Sequence, residues 1–185
     1  MEDSEIRDKA RDYVFYTFGT TRIFERRAHK LKFRRTWITF LGIVTPVIIG
    51  GIVLSFGTDS KLLPYFMTAA GFVGLAQLVL SAYSIVARWD ETYEYAVNSL
   101  IENTSLYNKW KSIRDEETTS LHIKYKELKN AYEDRESKDL SQNITDKEKR
   151  FANHEALRYF SQKCHQCKQI PVSSKPTKCD ACGNF

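Results

Sequence analysis

Two long stretches of this sequence, residues 37–56 and residues 62–87, contain no Asp, Glu, Lys, Arg or His. Proton relays, ion-coupled transporters and voltage sensors normally need an ionisable residue inside a membrane-crossing segment. The absence therefore argues against all three mechanisms. The two stretches contain one side-chain amide, that of Gln77.

The rest of the chain also lacks the usual signatures of an enzyme. It has no glycine-rich phosphate loop, and its histidines are scattered without a nucleophile in a recognisable frame. The acidic residues 115–117 are most simply a solvated helix face. These absences predict a protein that is not an enzyme and that has no evident small-molecule substrate.

The two uncharged stretches predict a membrane hairpin. Residues 37–56 make a helix about 30 Å long, which matches the hydrocarbon core of a bilayer. Residues 62–87 are long enough to cross with some tilt. Five residues, 57–61, join the stretches, so the two helices return side by side. A pair of buried helices in a soluble bundle is the alternative, but one face of such helices normally meets water.

Positive charge is concentrated beside the first stretch. Seven basic residues lie within fifteen positions before Trp37: Arg22, Arg26, Arg27, Lys30, Lys32, Arg34 and Arg35. Arg88 closes the second stretch, whereas the connecting turn carries only Lys61. The positive-inside rule therefore predicts a membrane protein with both termini cytoplasmic and the short turn on the outer side. A nucleic-acid patch is the alternative, but contact with anionic lipid explains the position of the cluster better.

Small residues recur at four-residue spacing within the hairpin. Gly42, Pro46 and Gly50 do so in the first stretch, and Ala70 and Gly74 do so in the second. Such spacing lets helices approach closely in lipid, either within one hairpin or between chains in a homo-oligomer.

Gly50, Gly74 and Gln77 are therefore candidates for pore lining or helix contact. A pore would need several chains that turn Gln77 inward. A single interhelical hydrogen bond is the alternative fate of this glutamine.

Helical patterns flank the hairpin. Residues 1–36 predict N-terminal helices with an apolar face and a break at residues 19–21. The apolar face comprises Ile6, Ala10, Tyr13, Val14 and Phe18.

Residues 88–137 contain no proline or glycine. They predict one long cytosolic helix, or two helices broken near residues 117–120. The predicted seam comprises Tyr93, Val97, Leu100, Thr104 and Tyr107, then Leu121, Tyr125, Leu128 and Tyr132. Trp110 and Ile113 offer an alternative face where the seam is interrupted. The region either pairs with another chain or packs on residues 1–36.

Residues 138–163 predict a polar linker, with Ser141, Asn143 and Thr145 as turn or cap candidates, and a short helix over residues 151–163. All four cysteines follow in residues 164–185, and they form two CxxC pairs separated by eleven residues: Cys164, Cys167, Cys179 and Cys182.

Two such pairs can place four thiolates around one structural Zn²⁺ ion, which would supply most of the folding free energy of so short a tail. A redox dithiol is the alternative. His165 lies between the first two cysteines and is expected to be solvated.

The order of basic helix, two-span hairpin and long cytosolic helix resembles the SLATT domain, a two-transmembrane effector of bacterial conflict systems. The cysteine spacing resembles that of the mobile-element proteins defined by a CxxC, eleven residues, CxxC arrangement. The resemblance implies an effector of antiphage or mobile-element immunity in the bacterial inner membrane. A partner that makes or senses a nucleotide signal would drive it to assemble and to perturb or permeabilise that membrane. A membrane-anchored adaptor, whose zinc tail and helix bind a protein or nucleic acid, is the alternative.

The expected fold is thus an all-α membrane protein with a two-helix hairpin. N-terminal helices precede the hairpin, a long helical region follows it, and a small zinc-ribbon-like tail ends the chain.

Overall fold

A computed structural model of the chain describes residues 2–57, 61, 63–115 and 118–185. These residues form five α-helices and a short 3₁₀ helix, Ile113–Asp115, and they contain no strand. The helices are α1 (Asp3–Phe56), α2 (Leu63–Val86), α3 (Trp89–Ser112), α4 (Thr118–Leu140) and α5 (Asp146–Tyr159). The prediction of an all-helical chain is therefore confirmed.

The chain divides into two compact units. The first unit combines Met1–Arg27 with Tyr95–Phe185, and the second comprises Ala28–Glu94. The break between α3 and α4 at the 3₁₀ helix corresponds to the two-helix alternative for residues 88–137. Glu116 and Glu117, which belong to the predicted acidic face and break, lie outside the described residues.

The N-terminal helix has no break at residues 19–21, so that prediction is wrong. The hydroxyl of Thr17 donates to the carbonyl of Tyr13 at 2.6 Å, and that of Thr21 donates to the carbonyl of Thr17 at 2.8 Å. The threonine hydroxyls are thus satisfied by carbonyls of the same helix, which is continuous here. A Cβ built at Gly19 would lie 3.4 Å from Ala152 Cβ, so the glycine serves a close approach of α1 and α5 rather than a turn.

The core of the first unit joins α1 to α3 and α4. Ile6 and Ala10 of α1 are buried together with Leu106, Trp110, Ile113 and Leu121. Tyr13 stacks on Trp110 with ring centroids 4.3 Å apart. For residues 88–137, the sequence left open pairing with another chain or packing on residues 1–36. The contacts of Ile6, Ala10 and Tyr13 favour packing on residues 1–36.

The buried face of α3 is offset from the predicted seam. Its buried residues are Ala96, Ser99, Asn103, Leu106 and Trp110. Tyr93, Val97, Leu100 and Tyr107 are only half-buried, and Thr104 is exposed. The seam of α3 is therefore wrong by one position, whereas the alternative face of Trp110 and Ile113 is confirmed as buried.

A buried polar network explains the offset. Asp139 of α4 accepts hydrogen bonds from Ser99 Oγ at 2.8 Å and from Asn103 Nδ2 at 2.7 Å. Tyr95 and Arg135 also donate to this carboxylate. Because Ser99 and Asn103 hydrogen-bond to Asp139, these polar side chains are stable when buried. A prediction from apolar spacing alone does not place polar residues at buried positions.

Helix α5 begins five residues before the predicted start at residue 151. Thr145 caps it, because its Oγ1 accepts from the backbone N–H of Glu148 while Glu148 accepts from the backbone N–H of Thr145. Arg27 of α1 holds the same glutamate through both carboxylate oxygens, at 2.6 and 2.8 Å. Thr145 is confirmed as a cap. The predicted linker over residues 138–149 is too long, because α4 continues to Leu140 and α5 begins at Asp146, which leaves residues 141–145 as the connection.

The second unit contains two helices that are long and apolar enough to cross a membrane. In the most apolar 18 residues of α1 and of α2, none is buried. Core helices of a soluble bundle would be mostly buried, so this alternative does not describe the second unit. The predicted second span begins at Leu62, which lies outside the described residues together with Asp59 and Ser60 of the predicted turn.

Candidate metal centre

The tail residues form two turns of the same kind. The backbone N–H of Lys168 donates to the carbonyl of Cys164 at 2.9 Å, and that of Gly183 donates to the carbonyl of Cys179 at 2.7 Å. Each turn therefore spans one CxxC pair. The turns stand alone, since the described tail contains no strand, and the expectation of a zinc-ribbon-like tail is corrected to paired cysteine turns without a ribbon.

The two turns bring all four thiols together. The sulfur atoms of Cys164 and Cys179 are 4.0 Å apart, and those of Cys167 and Cys182 are 3.8 Å apart. All four sulfurs lie within 4.8 Å of one another. A tetrahedral ion with bonds of about 2.3 Å to sulfur requires an S···S distance of about 3.8 Å. The cluster therefore has the dimensions of a four-thiolate metal site.

The same distances exclude a disulfide in this structure, since bonded sulfurs are about 2.05 Å apart. All four cysteines are free. The cysteines fit a metal in their chemistry as well as in their spacing, because thiolate sulfur is the preferred ligand of soft ions.

Burial and backbone hydrogen bonds make the four thiols unequal. Backbone N–H groups of Ala181 and Cys182 donate to the sulfur of Cys179 and lower its pKa to about 7. Burial raises the pKa of Cys182 above its ordinary value. Cys179 is thus prepared for ionisation near neutral pH, whereas the buried thiol of Cys182 requires a cation to replace its proton.

The family of the chain can be assigned at this point. A family model described as the mobilome CxxCx(11)CxxC protein matches residues 7–185. This chain belongs to that family. No curated protein and no solved structure matches it.

In this mobilome CxxCx(11)CxxC protein, the eleven-residue spacer separates the two turns that the structure brings together. The resemblance to SLATT domains stays a prediction. His165 is exposed and lies outside the four-sulfur cluster, as expected.

Helix α5 holds the tail of the family member through residues that the sequence did not point to. His154 is fully buried, and its Nδ1 and Nε2 lie 2.6 Å from the carbonyl of Cys182 and 2.7 Å from that of Ser173. The amide of Asn153 donates to the carbonyl of Ala181 at 2.7 Å. Arg150 Nε also donates to the carbonyl of Asn184 at 3.2 Å. Arg150, Asn153 and His154 share one face of α5, and this cluster of polar residues is the sequence signal for the contacts with the tail.

Close packing within the tail requires Gly183. A Cβ at this position would overlap the backbone carbonyl and the hydroxyl of Thr177. The backbone N–H of Asn184 donates to the same carbonyl at 2.8 Å. Residues beyond the last cysteine therefore close the second turn.

The remaining candidate residues, Gly50, Gly74 and Gln77, lie in the second unit. Gln77 Nε2 donates to the backbone carbonyl of Ile38 at 3.3 Å, and a Cβ at Gly42 would overlap this amide. A Cβ built at Gly50 or at Gly74 would have no described atom within 4 Å. Gly42, rather than Gly50 or Gly74, thus lies against the side-chain amide of Gln77, and a pore role for Gln77 stays a prediction.

Proposed function

We propose that this protein is a membrane effector of a bacterial antiphage or mobile-element conflict system. Its hairpin would insert into the inner membrane, assemble with other copies on activation and permeabilise the bilayer. The observation that carries the proposal is the open apolar surface of α2 and of the C-terminal part of α1, where the most apolar windows contain no buried residue. The family match to a mobilome protein and the resemblance to SLATT effectors support the biological setting.

A bilayer is the solvent that suits this surface. Leu54 is 89% exposed and Val86 is 82% exposed, whereas water penalises such exposure by about 25 cal/mol per Å². The 24 residues of α2 extend over about 36 Å, enough to cross a hydrocarbon core of about 30 Å. Both elements are helical, so their backbone polar groups are satisfied without water.

The proposed topology places both termini in the cytoplasm. Basic residues lie before the first span and Arg88 follows the second, whereas Lys61 is the one basic residue of the connecting turn. Retention of positive charge on the cytoplasmic side supports this orientation. In a reducing compartment, paired cysteines bind metal rather than form disulfides.

We assign the metal as a structural Zn²⁺ ion. Four cysteines complete a tetrahedral coordination sphere and leave no position for a substrate water, which supports a structural rather than catalytic role. The protein is accordingly proposed to be a non-enzyme. The ion would hold the two tail turns against α5 through the carbonyl of Cys182.

A membrane-anchored adaptor is the second candidate function. The lack of charged side chains along residues 37–56 and 62–87 favours it, because such helices are suited to anchoring. The tail and the helices of the first unit would then bind a protein or nucleic-acid partner. In either case a partner that makes or senses a nucleotide signal would activate the protein.

Membrane potential during induced expression in bacteria separates the two candidates. We expect depolarisation by the intact protein and its loss in the double variant Gly50→Leu, Gly74→Leu, because leucine would cover the open small surface needed for assembly. Val47→Leu with Val79→Leu is the matched control, since both valines are exposed and only one methylene is added at each.

Equal depolarisation in all three proteins would exclude assembly through Gly50 and Gly74. A steady potential in the intact protein, with its partner present and insertion verified, would reject the effector. Activity that survives replacement of the hairpin by an unrelated two-span anchor would support the adaptor.

A further inference from the structure

The second unit contains a cleft of about 430 Å³, and the residues that line it change from polar to apolar along the axis of α1. Its polar end is lined by Lys32, Arg35, Thr36 and Thr39. These residues follow the i, i+3, i+4, i+7 spacing of one helix face. Two cations are thus followed on the same face by two hydroxyl groups.

The apolar end of the cleft continues the same face. Phe40 and Ile43 line it one and two turns beyond Thr36, and Tyr93 of α3 forms the opposite wall. Over these residues the face passes from charge through hydroxyl to hydrocarbon within about 17 Å. A phospholipid has the same order of groups, from phosphate through glycerol ester to acyl chain.

Two contacts fix the position of the Arg35 guanidinium in the cleft. Its Nε lies 2.7 Å from the carboxylate of Asp90, and its centre stands 4.8 Å above the ring of Tyr93. These contacts use one edge of the group and leave its terminal N–H donors for a second acceptor. A planar fork of this kind matches a phosphate in a bidentate geometry.

Asp90 neutralises one of the two positive charges of the cleft, that of Arg35, and Lys32 carries the other. Its ammonium makes no ion pair with any residue that the structure describes, and the hydroxyls of Thr36 and Thr39 make no side-chain hydrogen bond there. Unengaged donors therefore surround the polar end of the cleft. The excess of one positive charge favours an anionic headgroup over a zwitterionic one, whose amine would meet these cations.

We propose that this cleft binds the phosphate of an anionic phospholipid, with Lys32 and Arg35 as the cationic ligands. Thr36 and Thr39 would donate to the phosphate or ester oxygens, and the first part of an acyl chain would lie on Phe40 and Ile43. The assignment rests on the proposed insertion of the hairpin into a bilayer.

Lipid binding to the full chain in detergent tests the site. Native mass spectrometry would count bound phosphatidylglycerol and phosphatidylcholine at equal added concentrations. We expect selective retention of phosphatidylglycerol, reduced by about 5-fold for each charge removed in Lys32→Gln and Arg35→Gln. The variant Thr36→Val, Thr39→Val should weaken the same binding without a change in charge.

Lys30→Gln with Arg34→Gln is the matched control, because it removes two charges from the same helical segment outside the cleft. Retention of selectivity within 2-fold in this control is expected. Equal losses in the control and in Lys32→Gln, Arg35→Gln would overturn the site in favour of diffuse electrostatics. Competition by millimolar inorganic phosphate would assign the cleft to free phosphate and overturn the lipid assignment.

Carbonate extraction of bacterial membranes separates failure of this site from failure of the proposed function. A chain that is inserted but binds both lipids equally would overturn the cleft alone. A chain that carbonate removes from the membrane would reject the hairpin insertion on which both proposals depend.

Discussion

In both compact units of this chain, some side chains are buried or exposed against their hydropathy, but in opposite directions. The first unit encloses Arg135 and Asp139 in a network of hydrogen bonds, although both are ionisable. The second leaves Leu78 and Phe72 about seven-tenths exposed, although both are strongly apolar. Hydrogen-bond partners therefore allow ionisable side chains to be buried in the first unit, and hydropathy alone predicts burial in neither unit.

Each unit also uses its polar groups differently. Asp139 accepts from four side chains in the first unit. The hairpin has one interhelical side-chain bond among its described residues, from Gln77 to Ile38. The first unit is therefore specified by buried polar contacts as well as by apolar packing, whereas the hairpin combines long apolar helices with this single interhelical bond, whose amide lies beside Gly42.

Metal removal is expected to have the largest effect and to be confined to the first unit. Structural zinc contributes about 10–16 kcal/mol of apparent folding free energy in small zinc domains. A zinc chelator, or the double variant Cys164→Ser, Cys182→Ser, should raise deuterium uptake in residues 164–185 and in α5, with no change in α2. Elemental analysis of the untreated protein should give one zinc per chain.

His165→Ala is the control for this measurement, because the residue lies within the first CxxC pair but is exposed. It should retain the metal and the wild-type uptake. A different bound metal would refute the zinc assignment, and unchanged uptake after metal removal would refute the structural role.

Truncation of one leucine in each unit tests the contrast in burial directly. Leu121 is fully buried, and Leu121→Ala should lower the free energy of unfolding by about 2–5 kcal/mol. Leu78 is 70% exposed, and Leu78→Ala should cost less than about 1 kcal/mol in detergent, since micelle hydrocarbon replaces what is lost.

Chemical denaturation of the full chain in detergent, followed by circular dichroism, provides both values. Similar losses in the two variants would mean that α2 packs in a protein core after all. That result would remove the main support for the membrane hairpin.

Acid should reveal a smaller effect at the bond between Arg27 and Glu148. Burial raises the pKa of Glu148, but the bonds from Arg27 and Thr145 outweigh it and lower the pKa from 4.5 to about 2. Because the folded-state pKa lies below the unfolded value, the ionised carboxylate stabilises the fold above about pH 4.5. This stabilisation is lost as the pH falls toward 2.

We expect the wild type to exceed Glu148→Gln in stability by about 1–2 kcal/mol at pH 7, after allowance for partial exposure, and to converge with it near pH 2. Asp146→Asn, an exposed acid in the same helical turn, is the control and should change stability by less than about 0.5 kcal/mol. The difference between variants cancels the loss of metal in acid. A constant difference across this range would show that Glu148 does not titrate as described.

Several elements were predictable because one strong local signal decided each. The absence of charge over residues 37–56 predicted the apolar end of α1, and the cysteine spacing predicted the cluster of Cys164, Cys167, Cys179 and Cys182. Thr145 with Glu148 three residues later is a sequence signature of a helix start, although the predicted helix began at residue 151.

Other elements depended on partners that are distant in sequence. Ser99 and Asn103 are buried because Asp139 lies opposite them, about 40 and 36 residues away in the chain. Gly19 reads as a helix breaker by composition, yet its missing side chain admits Ala152 of α5. No local pattern contains either fact.

Local sequence was enough to specify the helical class, the two apolar helices and the four sulfur ligands. These follow from composition and spacing, which act over a few residues. Tertiary contacts were needed to set which face of α3 is buried, to carry α1 through residues 19–21, and to bring His154 against the cysteine turns. Those outcomes depend on hydrogen-bond partners and close approaches between distant segments, and such contacts exist only once the chain has folded.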